Sequence, residues 1–233
     1  MKIYFKNIIR TTFGFGAAAL MLQSCTKSDI VFNTTPLPTA VSFTQASPDQ
    51  PPVNLYLNGA RFASSTFNYG QSAGYLAINS GVYAVAFTSD IDGKILLADS
   101  INFKAETNYS LFLANKAAQP EVVLLTDTLN APAAGNASIR FINLSPDAPA
   151  VDLVEKGGPV LVTNRAYKGY SSFSPLTGNQ VYTFEVHRAG TSTVLATLNT
   201  VKLQTNTIYT LWFHGLAAGT TVADALSLDI LTN

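Results

Sequence analysis

Two stretches of the chain, 98 positions apart, share the pattern Ser-Pro-Asp-x-Pro between apolar residues: "FTQASPDQPPVNL" (43–55) and "FINLSPDAPAVDL" (141–153). Proline lacks a backbone donor and fixes φ, so a strand that precedes it must end there. Ser and Asp side chains accept backbone N–H groups in the turn, and the second proline keeps the chain extended as it re-enters a strand. The turn-structuring residues would be Ser47, Pro48, Asp49, Ser145, Pro146 and Asp147. One corner made twice predicts two copies of one folding unit.

The segments between these corners alternate apolar and polar residues with period two. "VYAVAFTS" (82–89) and "VYTFEVHR" (181–188) follow this pattern, and "NYSLFLA" (108–114) matches "IYTLWFH" (208–214). Such alternation is typical of half-buried antiparallel strands, and Gly, Asn, Asp and Pro punctuate it at short intervals. Each copy therefore offers about seven or eight strands, a number typical of an immunoglobulin-like sandwich.

The repeat and the turn signals predict how the chain is divided. We expect an all-β protein with two tandem immunoglobulin-like antiparallel β-sandwich domains, at residues 39–127 and 137–233. The Ala-, Pro-, Gly- and Asn-rich stretch at residues 128–136 reads as a linker.

The amino terminus has the pattern of an export signal. Lys2, Lys6 and Arg10 precede a short uncharged apolar run that is too short to span a bilayer comfortably. The following residues, Leu-Gln-Ser-Cys ending at Cys25, resemble the lipobox of bacterial lipoproteins of the Bacteroidetes type, in which the cysteine is lipidated after cleavage. We expect a signal peptide at residues 1–24. An uncleaved anchor, or an ordinary signal peptide with an incidental cysteine, is the alternative.

Lipidation of Cys25 would determine the location of the protein. Several acyl chains anchor a protein stably, whereas one binds a membrane only marginally. Residues 25–38, with Pro36 and Pro38, would form an extended tether. We expect an outer-membrane lipoprotein and leave open whether it faces the cell surface or the periplasm.

A family resemblance rests on three segments of the second copy. These are "RFINLSPDAPAVDL" (140–153), "AYKGYSSFSPL" (166–176) and "VYTFEVHRAGTSTVLAT" (181–197). Together they resemble the domain-of-unknown-function 4397 family, over residues 137–215 and less closely over 39–115. Members are secreted or lipid-anchored bacterial proteins, often with tandem copies. The resemblance implies fold and location, and it implies no activity.

Composition excludes several classes of partner and cofactor. With 14 basic and 14 acidic residues and no basic run, the chain lacks the clustered cations that nucleic acid requires. No glycine-rich phosphate loop predicts nucleotide binding. The single cysteine excludes an intramolecular disulfide, and the two histidines, His187 and His214, are too few for a histidine metal site. We expect no metal and no cofactor.

No catalytic signature is present. His187 lies on the outward side of its strand, and Asp90 and Asp92 belong to an ordinary Asp-Gly hairpin. Asp147 and Asp152 flank the second corner and read as structural caps. We expect no enzyme; the alternative is a hydrolase that uses an unrecognised carboxylate pair such as these two.

Two sets of residues suggest a binding surface. Trp212 and His214 share one face of a strand, which either packs against the other domain or forms an exposed aromatic platform for a sugar ring or partner. Four tyrosines in Gly- and Ser-rich stretches either contact a ligand or fold back on the sandwich: Tyr69, Tyr75, Tyr167 and Tyr170. We expect a non-catalytic binding or structural module for glycans, peptides or other envelope proteins.

Two triplets are similar to the Asp-Ser/Thr-aliphatic acceptor of Bacteroidetes O-glycosylation. They predict modification at Ser100 and at Thr128, and Thr128 lies at the linker, where an acceptor would be accessible.

Overall fold

The structure, a computed structural model, describes residues 38–219, 221 and 224–233. The predicted signal peptide, Cys25 and the tether as far as residue 37 lie outside these residues. In the described part of the chain, no helix is long and apolar enough to cross a membrane.

The described regular structure consists of strands. The first half of the molecule contains β1 (Pro38–Gln45), β2 (Val53–Leu57), β3 (Ala60–Arg61), β4 (Ser72–Asn79), β5 (Gly81–Ser89), β6 (Ile95–Phe103), β7 (Asn108–Ala114) and β8 (Glu121–Asp127). The second half contains β9 (Asn136–Asn143), β10 (Val151–Glu155), β11 (Val160–Arg165), β12 (Ser174–Thr177), β13 (Gln180–Arg188), β14 (Val194–Leu203), β15 (Ile208–His214) and β16 (Ser227–Thr232). The prediction of an all-β chain is confirmed.

The strands form four four-stranded sheets, two in each half. The first half has an inner sheet, β4-β1-β7-β8, and an outer sheet, β3-β2-β5-β6. The second half has an inner sheet, β12-β9-β15-β16, and an outer sheet, β11-β10-β13-β14. Adding eight to each strand number of the first half gives the second half, so both halves have one strand order.

This strand order differs in two respects from the immunoglobulin-like antiparallel arrangement expected from the strand count. The first difference is the strand order: an immunoglobulin constant domain has sheets ordered 1-2-5-4 and 3-6-7, whereas each half here has the orders 4-1-7-8 and 3-2-5-6. The second difference is a parallel pairing. Here β1 pairs with β7, and β9 with β15, in parallel at the centre of each inner sheet. Parallel partners need a long connection, and in each half the intervening strands build the outer sheet and the fourth strand of the inner sheet.

Each half encloses its own hydrophobic core between its inner and outer sheets. Fully buried side chains of the first core include Phe43, Phe87 and Leu111. The second core has Phe141 and Phe184, with the remaining positions filled by aliphatic and aromatic residues of both sheets. The alternating positions of the strands supply these inward-facing residues.

The repeated Ser-Pro-Asp-x-Pro corners bind the loop that follows the central parallel strand. The Ser47 hydroxyl donates to the Asn115 carbonyl at 2.5 Å, and the Asp49 carboxylate accepts the Ala117 N–H at 2.7 Å. In the second half, Ser145 donates to the Gly215 carbonyl and Asp147 accepts the Ala217 N–H, both at 2.7 Å. Each corner thus closes one end of its inner sheet.

A third hydrophobic cluster joins the two halves. Its buried members lie on the inner sheets or directly after their strands, on the side turned away from the two cores: Ala46, Phe112, Ala114, Val123, Leu125, Ile142, Leu144 and Trp212. The inner sheets therefore pack on each other, and the four sheets form four layers. The prediction of half-buried strands is wrong for β7 and β15, which are buried on both faces because the other half covers the second face.

Candidate functional site at the junction of the two halves

Trp212 lies at the centre of the junction and is only 1% exposed. Its ring stacks on His214 with the centroids 3.8 Å apart, and His214 is also buried. The interpretation of these two residues as an exposed aromatic platform is wrong, because the first half covers them. Their strand face packs against the other half, as the alternative interpretation had it.

His214 links the halves through a loop tyrosine. One ring nitrogen, Nδ1, contacts the Tyr69 hydroxyl of the first half, and the other, Nε2, lies 2.9 Å from Oδ2 of Asp229. Burial, followed by the charges of Asp229 and Asp224, raises the pKa of Tyr69. The hydrogen bond from His214 lowers the pKa of Asp229. Tyr69 therefore keeps its proton at neutral pH and belongs to the junction.

Tyr167 lies 98 positions after Tyr69 and makes the reverse contact: it belongs to the second half and binds a residue of the first. Its hydroxyl donates to Oε1 of Glu121 at 2.7 Å, and Nζ of Lys168 lies 2.9 Å from Oε2 of the same carboxylate. Burial, and then Glu121, raise the pKa of Tyr167. Burial alone would raise the pKa of Glu121, but the hydrogen bonds from Lys168 and Tyr167 lower it overall. The loops that carry Tyr69 and Tyr167 therefore fold back on the protein, which was the alternative to contact with a ligand.

A buried arginine from β9 forms the polar centre of the junction. Arg140 is 2% exposed, and its Nη1 makes an ion pair with Asp127 of the first half. Its Nε donates to the Thr210 hydroxyl at 2.9 Å, and its Nη2 donates to the Ser110 hydroxyl at 2.7 Å. The Phe173 ring covers the guanidinium, with its centroid 4.7 Å away. The charge of Arg140 is thus both neutralised and hydrogen-bonded.

Tyr75 completes the same network from the first half. Its hydroxyl donates to Oδ2 of Asp127 at 2.6 Å and accepts from Nδ2 of Asn233 at 2.9 Å. Burial, and then the neighbouring Asp127, raise its pKa. Tyr75 therefore anchors the two halves to each other.

The network joins corresponding positions of the two halves. Tyr75 and Phe173 are 98 positions apart, and Ser110 corresponds to Thr210 in the matched strands β7 and β15. Two clefts flank the network in the same paired fashion. The smaller holds about 90 Å³ and lies between β4 and the C-terminal residues 231–233. The larger holds about 540 Å³ and lies between residues 128–133 and the loop before β12.

Tyr170 is the one predicted binding residue that lines the larger cleft, and its side chain is 52% exposed. Its backbone is fixed, because it bridges to Ile142 of β9 and the next residue, Ser171, donates its N–H to the Phe141 carbonyl at 2.9 Å. Arg140 and Phe173 also line this cleft. An exposed aromatic ring, a fixed loop and a buried cation thus meet where the two halves join.

The predicted modification sites lie in different settings. Thr128 is exposed on the connection between β8 and β9 and lines the larger cleft. Ser100 is exposed within β6, an edge strand of the first outer sheet. Thr128 therefore has the position in which a modification would affect the cleft directly.

The carboxylates considered for hydrolysis bind backbone amides. Asp147 accepts the Ala217 N–H and pairs with Lys116 of the first half at 2.9 Å; burial would raise its pKa, but these bonds lower it overall. Asp152 accepts the N–H groups of Asn164 at 2.7 Å and Gly190 at 2.9 Å. Among the described residues, no group of three His, Cys, Asp or Glu side chains could hold a metal ion.

Arg140, Asp127 and Phe173 were not identified from the sequence as parts of a site. One signal was available, since "ASIRFIN" places an arginine inside an otherwise apolar strand. A buried arginine requires a partner, and a search for matching acids would have pointed to Asp127 at the end of β8.

The fold and this site define a class of all-β protein in which two β-sandwiches pack through their inner sheets. Residues 39–154 match the family model described as "Domain of unknown function (DUF4397)", so the chain contains a domain of this family. The match covers the first half and continues through β9 into β10.

Curated proteins provide no match to the chain. Among solved structures, the chain is similar to "CBMbc (family CBM26) from Eubacterium rectale Amy13K", whose crystal structure contains maltoheptaose. The TM-score is 0.26 and the identity 11%, over 84% of this chain and 96% of that chain. A TM-score of this size carries no argument about the fold or ligand of this chain.

Proposed function

We propose that the protein is a non-catalytic, lipid-anchored envelope protein that recognises a ligand in the larger cleft at the junction. The observation that carries this proposal is the exposed ring of Tyr170, held on a fixed loop at the mouth of a cleft of about 540 Å³. Ligand sites are concave and combine apolar surface with a few well-placed polar groups, and this cleft has both. Glycans, peptides and other envelope proteins are the ligand classes considered.

The absence of catalysis is part of the same proposal. The carboxylates of Asp147 and Asp152 accept backbone N–H groups at 2.7–2.9 Å, which favours a role in holding loops. A glycosidase needs two carboxyl groups that face one cleft, one of them free to donate a proton. Neither residue lines the larger cleft.

The tandem organisation also belongs to the proposal. Both halves have the same strand order and the same corner contacts, which supports a second copy of the family domain at residues 137–233, joined to the first at 39–127 by residues 128–136. The larger cleft would then depend on how the copies are joined, since Thr126 at the end of the first copy, the connection at residues 128–133 and residues of the second copy line it.

The lipid anchor rests on the lipobox-like stretch that ends at Cys25. Cells that express the full chain and are fed radiolabelled palmitate should yield a labelled protein in the membrane fraction. The Cys25→Ser variant should lose the label, and the Ser24→Ala variant, which keeps the cysteine, should retain it. Label that persists in Cys25→Ser would contradict the anchor. Protease added to intact cells would distinguish the cell surface from the periplasmic face.

The recognition role is tested by probing arrays of glycans, peptides and envelope proteins with the purified full-length chain. We expect saturable binding to at least one class. Tyr170→Ala should weaken it, and Tyr56→Ala, a half-buried tyrosine on the outer sheet of the first half, should not. A blank on all three arrays would contradict recognition and favour a structural role.

A further inference from the structure

We propose that the ligand of the larger cleft is an uncharged sugar, one ring of a glycan, stacked on Tyr170 and hydrogen-bonded by the hydroxyl-bearing rim. This inference rests on the proposed function, because it names the ligand class of the same site. It commits to a glycan in place of a peptide or protein.

The charge of the cleft favours an uncharged ligand. Among the residues that line it, Arg140 is the only charged one, and its guanidinium is already paired with Asp127. An ionised ligand would lose hydration on entering and would find no unpaired countercharge in return. A neutral molecule that carries many hydrogen-bonding groups avoids this cost.

The polar groups of the cleft match hydroxyl groups. Arg140 is 2% exposed, and each of its three guanidinium nitrogens already donates within the protein, to Thr210, Asp127 and Ser110. The hydrogen bonds to a ligand therefore come from the rim of the cleft. The rim adds hydroxyl groups, which donate and accept, at Thr126, Thr128, Ser138 and Ser172. Sugar hydroxyls likewise donate and accept.

Tyr170 provides an apolar surface for the C–H face of a sugar ring. Its side chain is 52% exposed, while Asn143 donates its N–H to the Gly169 carbonyl at 3.0 Å and Ile142 bridges to Tyr170 itself. The loop is therefore ordered before a ligand arrives, so stacking costs little conformational entropy. Tyrosine adds large contact area with few rotatable bonds.

An extended peptide fits this site less well. Peptides often bind by adding a strand to a free sheet edge, which requires backbone donors along that edge. The edge beside the cleft is β12, only four residues long, and Pro175 within it has no N–H group. The edge therefore offers few donors for pairing.

The smaller cleft, on the other side of the polar network, differs from the larger one in its residues and its volume. The position 98 residues before Tyr170 is Ser72, and that cleft holds about 90 Å³ instead of about 540 Å³. The connection at residues 128–133 builds a wall on one side of the junction alone. We therefore expect one sugar site in each chain.

The test begins with an array of uncharged hexose and N-acetylhexosamine oligosaccharides, with uronic-acid and sialylated oligosaccharides and extended peptides as the other sets. The best uncharged probe is then titrated calorimetrically against the full-length chain. We expect one site per chain and a loss of affinity of roughly tenfold or more in Tyr170→Ala. Tyr170→Phe keeps the ring and should stay within about threefold of the parent. Tyr56→Ala is the matched control and should bind as the parent does.

The outcomes separate the two proposals. Binding of an uncharged sugar that is lost in Tyr170→Ala and kept in Tyr56→Ala supports the inference. Sugar binding that is unchanged in Tyr170→Ala, or a preference for acidic sugars or peptides, overturns the inference and leaves a recognition role standing. No binding to any of the three sets overturns the inference, and a blank on the envelope-protein array as well overturns the recognition role with it.

Discussion

The ion pair between Arg140 and Asp127 is buried at the junction of the two halves. Their side chains are 2% and 0% exposed, so both charges have left water almost completely. Such burial is tolerated only when the charges face each other and further hydrogen bonds satisfy the remaining groups, as Ser110, Thr210 and Tyr75 do here. The pair therefore favours one relative placement of the two halves.

Removing one partner of this pair should be strongly destabilising. We expect Arg140→Met to lower the free energy of unfolding by about 3–5 kcal/mol, because Asp127 would stay buried without a countercharge. The double variant Arg140→Met/Asp127→Leu should lose less than the sum of the two single variants. Urea denaturation followed by circular dichroism measures all three.

The exposed pair Lys156–Glu185 provides the control. Its atoms are 3.2 Å apart and the Lys156 side chain is 61% exposed, so Lys156→Met should cost less than about 1 kcal/mol. If the losses of unfolding free energy in Arg140→Met and Asp127→Leu add up to the loss in the double variant, the pair does not act as a unit.

Strands β7 and β15 are the elements on which the four-layer arrangement depends. Each contributes one face to the core of its own half and the other face to the junction. Strands buried on both faces read as nearly continuous apolar runs, and "SLFLA" and "TLWF" are such runs. Their dual burial could have been inferred from the sequence, whereas their parallel pairing with β1 and β9 could not.

Trp212 is the largest side chain of β15 at the junction. We expect Trp212→Ala to reduce the free energy of unfolding by about 3–5 kcal/mol, because it leaves a cavity between the inner sheets. Trp212→Phe, which matches Phe112 of the first half, should cost less. Differential scanning calorimetry measures both. Val181→Ala, at a side chain that is 60% exposed, is the control and should leave stability nearly unchanged. A Trp212→Ala protein as stable as the parent would contradict the packing of the junction.

The halves are also joined by carboxylates at the rim of the junction. Glu121 contacts Tyr167 and Lys168, and Asp147 contacts Lys116; in both cases the pKa is lowered although burial opposes it. A folded pKa below the unfolded one means that the folded state binds fewer protons. The stabilisation is therefore complete above the unfolded pKa, about 4, and is lost as the pH falls through the folded pKa.

We accordingly expect the unfolding temperature to fall as the pH is lowered from about 5 to about 3. The double variant Glu121→Gln/Asp147→Asn should be less stable at pH 7 and should show a flatter profile over this range. Thermal unfolding at several pH values measures both. Added salt should reduce the difference, since these side chains are partly exposed and salt screens them. An unchanged profile in the double variant would contradict the assignment.

Much of the architecture could be read from patterns that involve neighbouring residues. Alternation indicated strands, and the prolines of the repeated corners marked where strands end and predicted that the unit occurs twice. The Gly- and Ser-rich stretches also drew attention to four tyrosines, but the pattern did not separate Tyr170, which is exposed, from the three that contact the other half, Tyr69, Tyr75 and Tyr167.

The packing of one half on the other rests on contacts between residues of different halves, which lie from 13 to 158 positions apart in the sequence. Phe112 and Trp212 lie on outward strand faces, and alternation shows that a face is apolar without showing what packs on it. For Arg140 the sequence offered a charge within an apolar strand and an acid 13 positions earlier, but it did not show that the two halves bring them together or that a cleft lies beside Tyr170. Local sequence determines strands and turns because their hydrogen bonds join near neighbours or adjacent strands. The junction and its cleft depend on the shapes and charges of two complete surfaces, which exist only after both halves have folded.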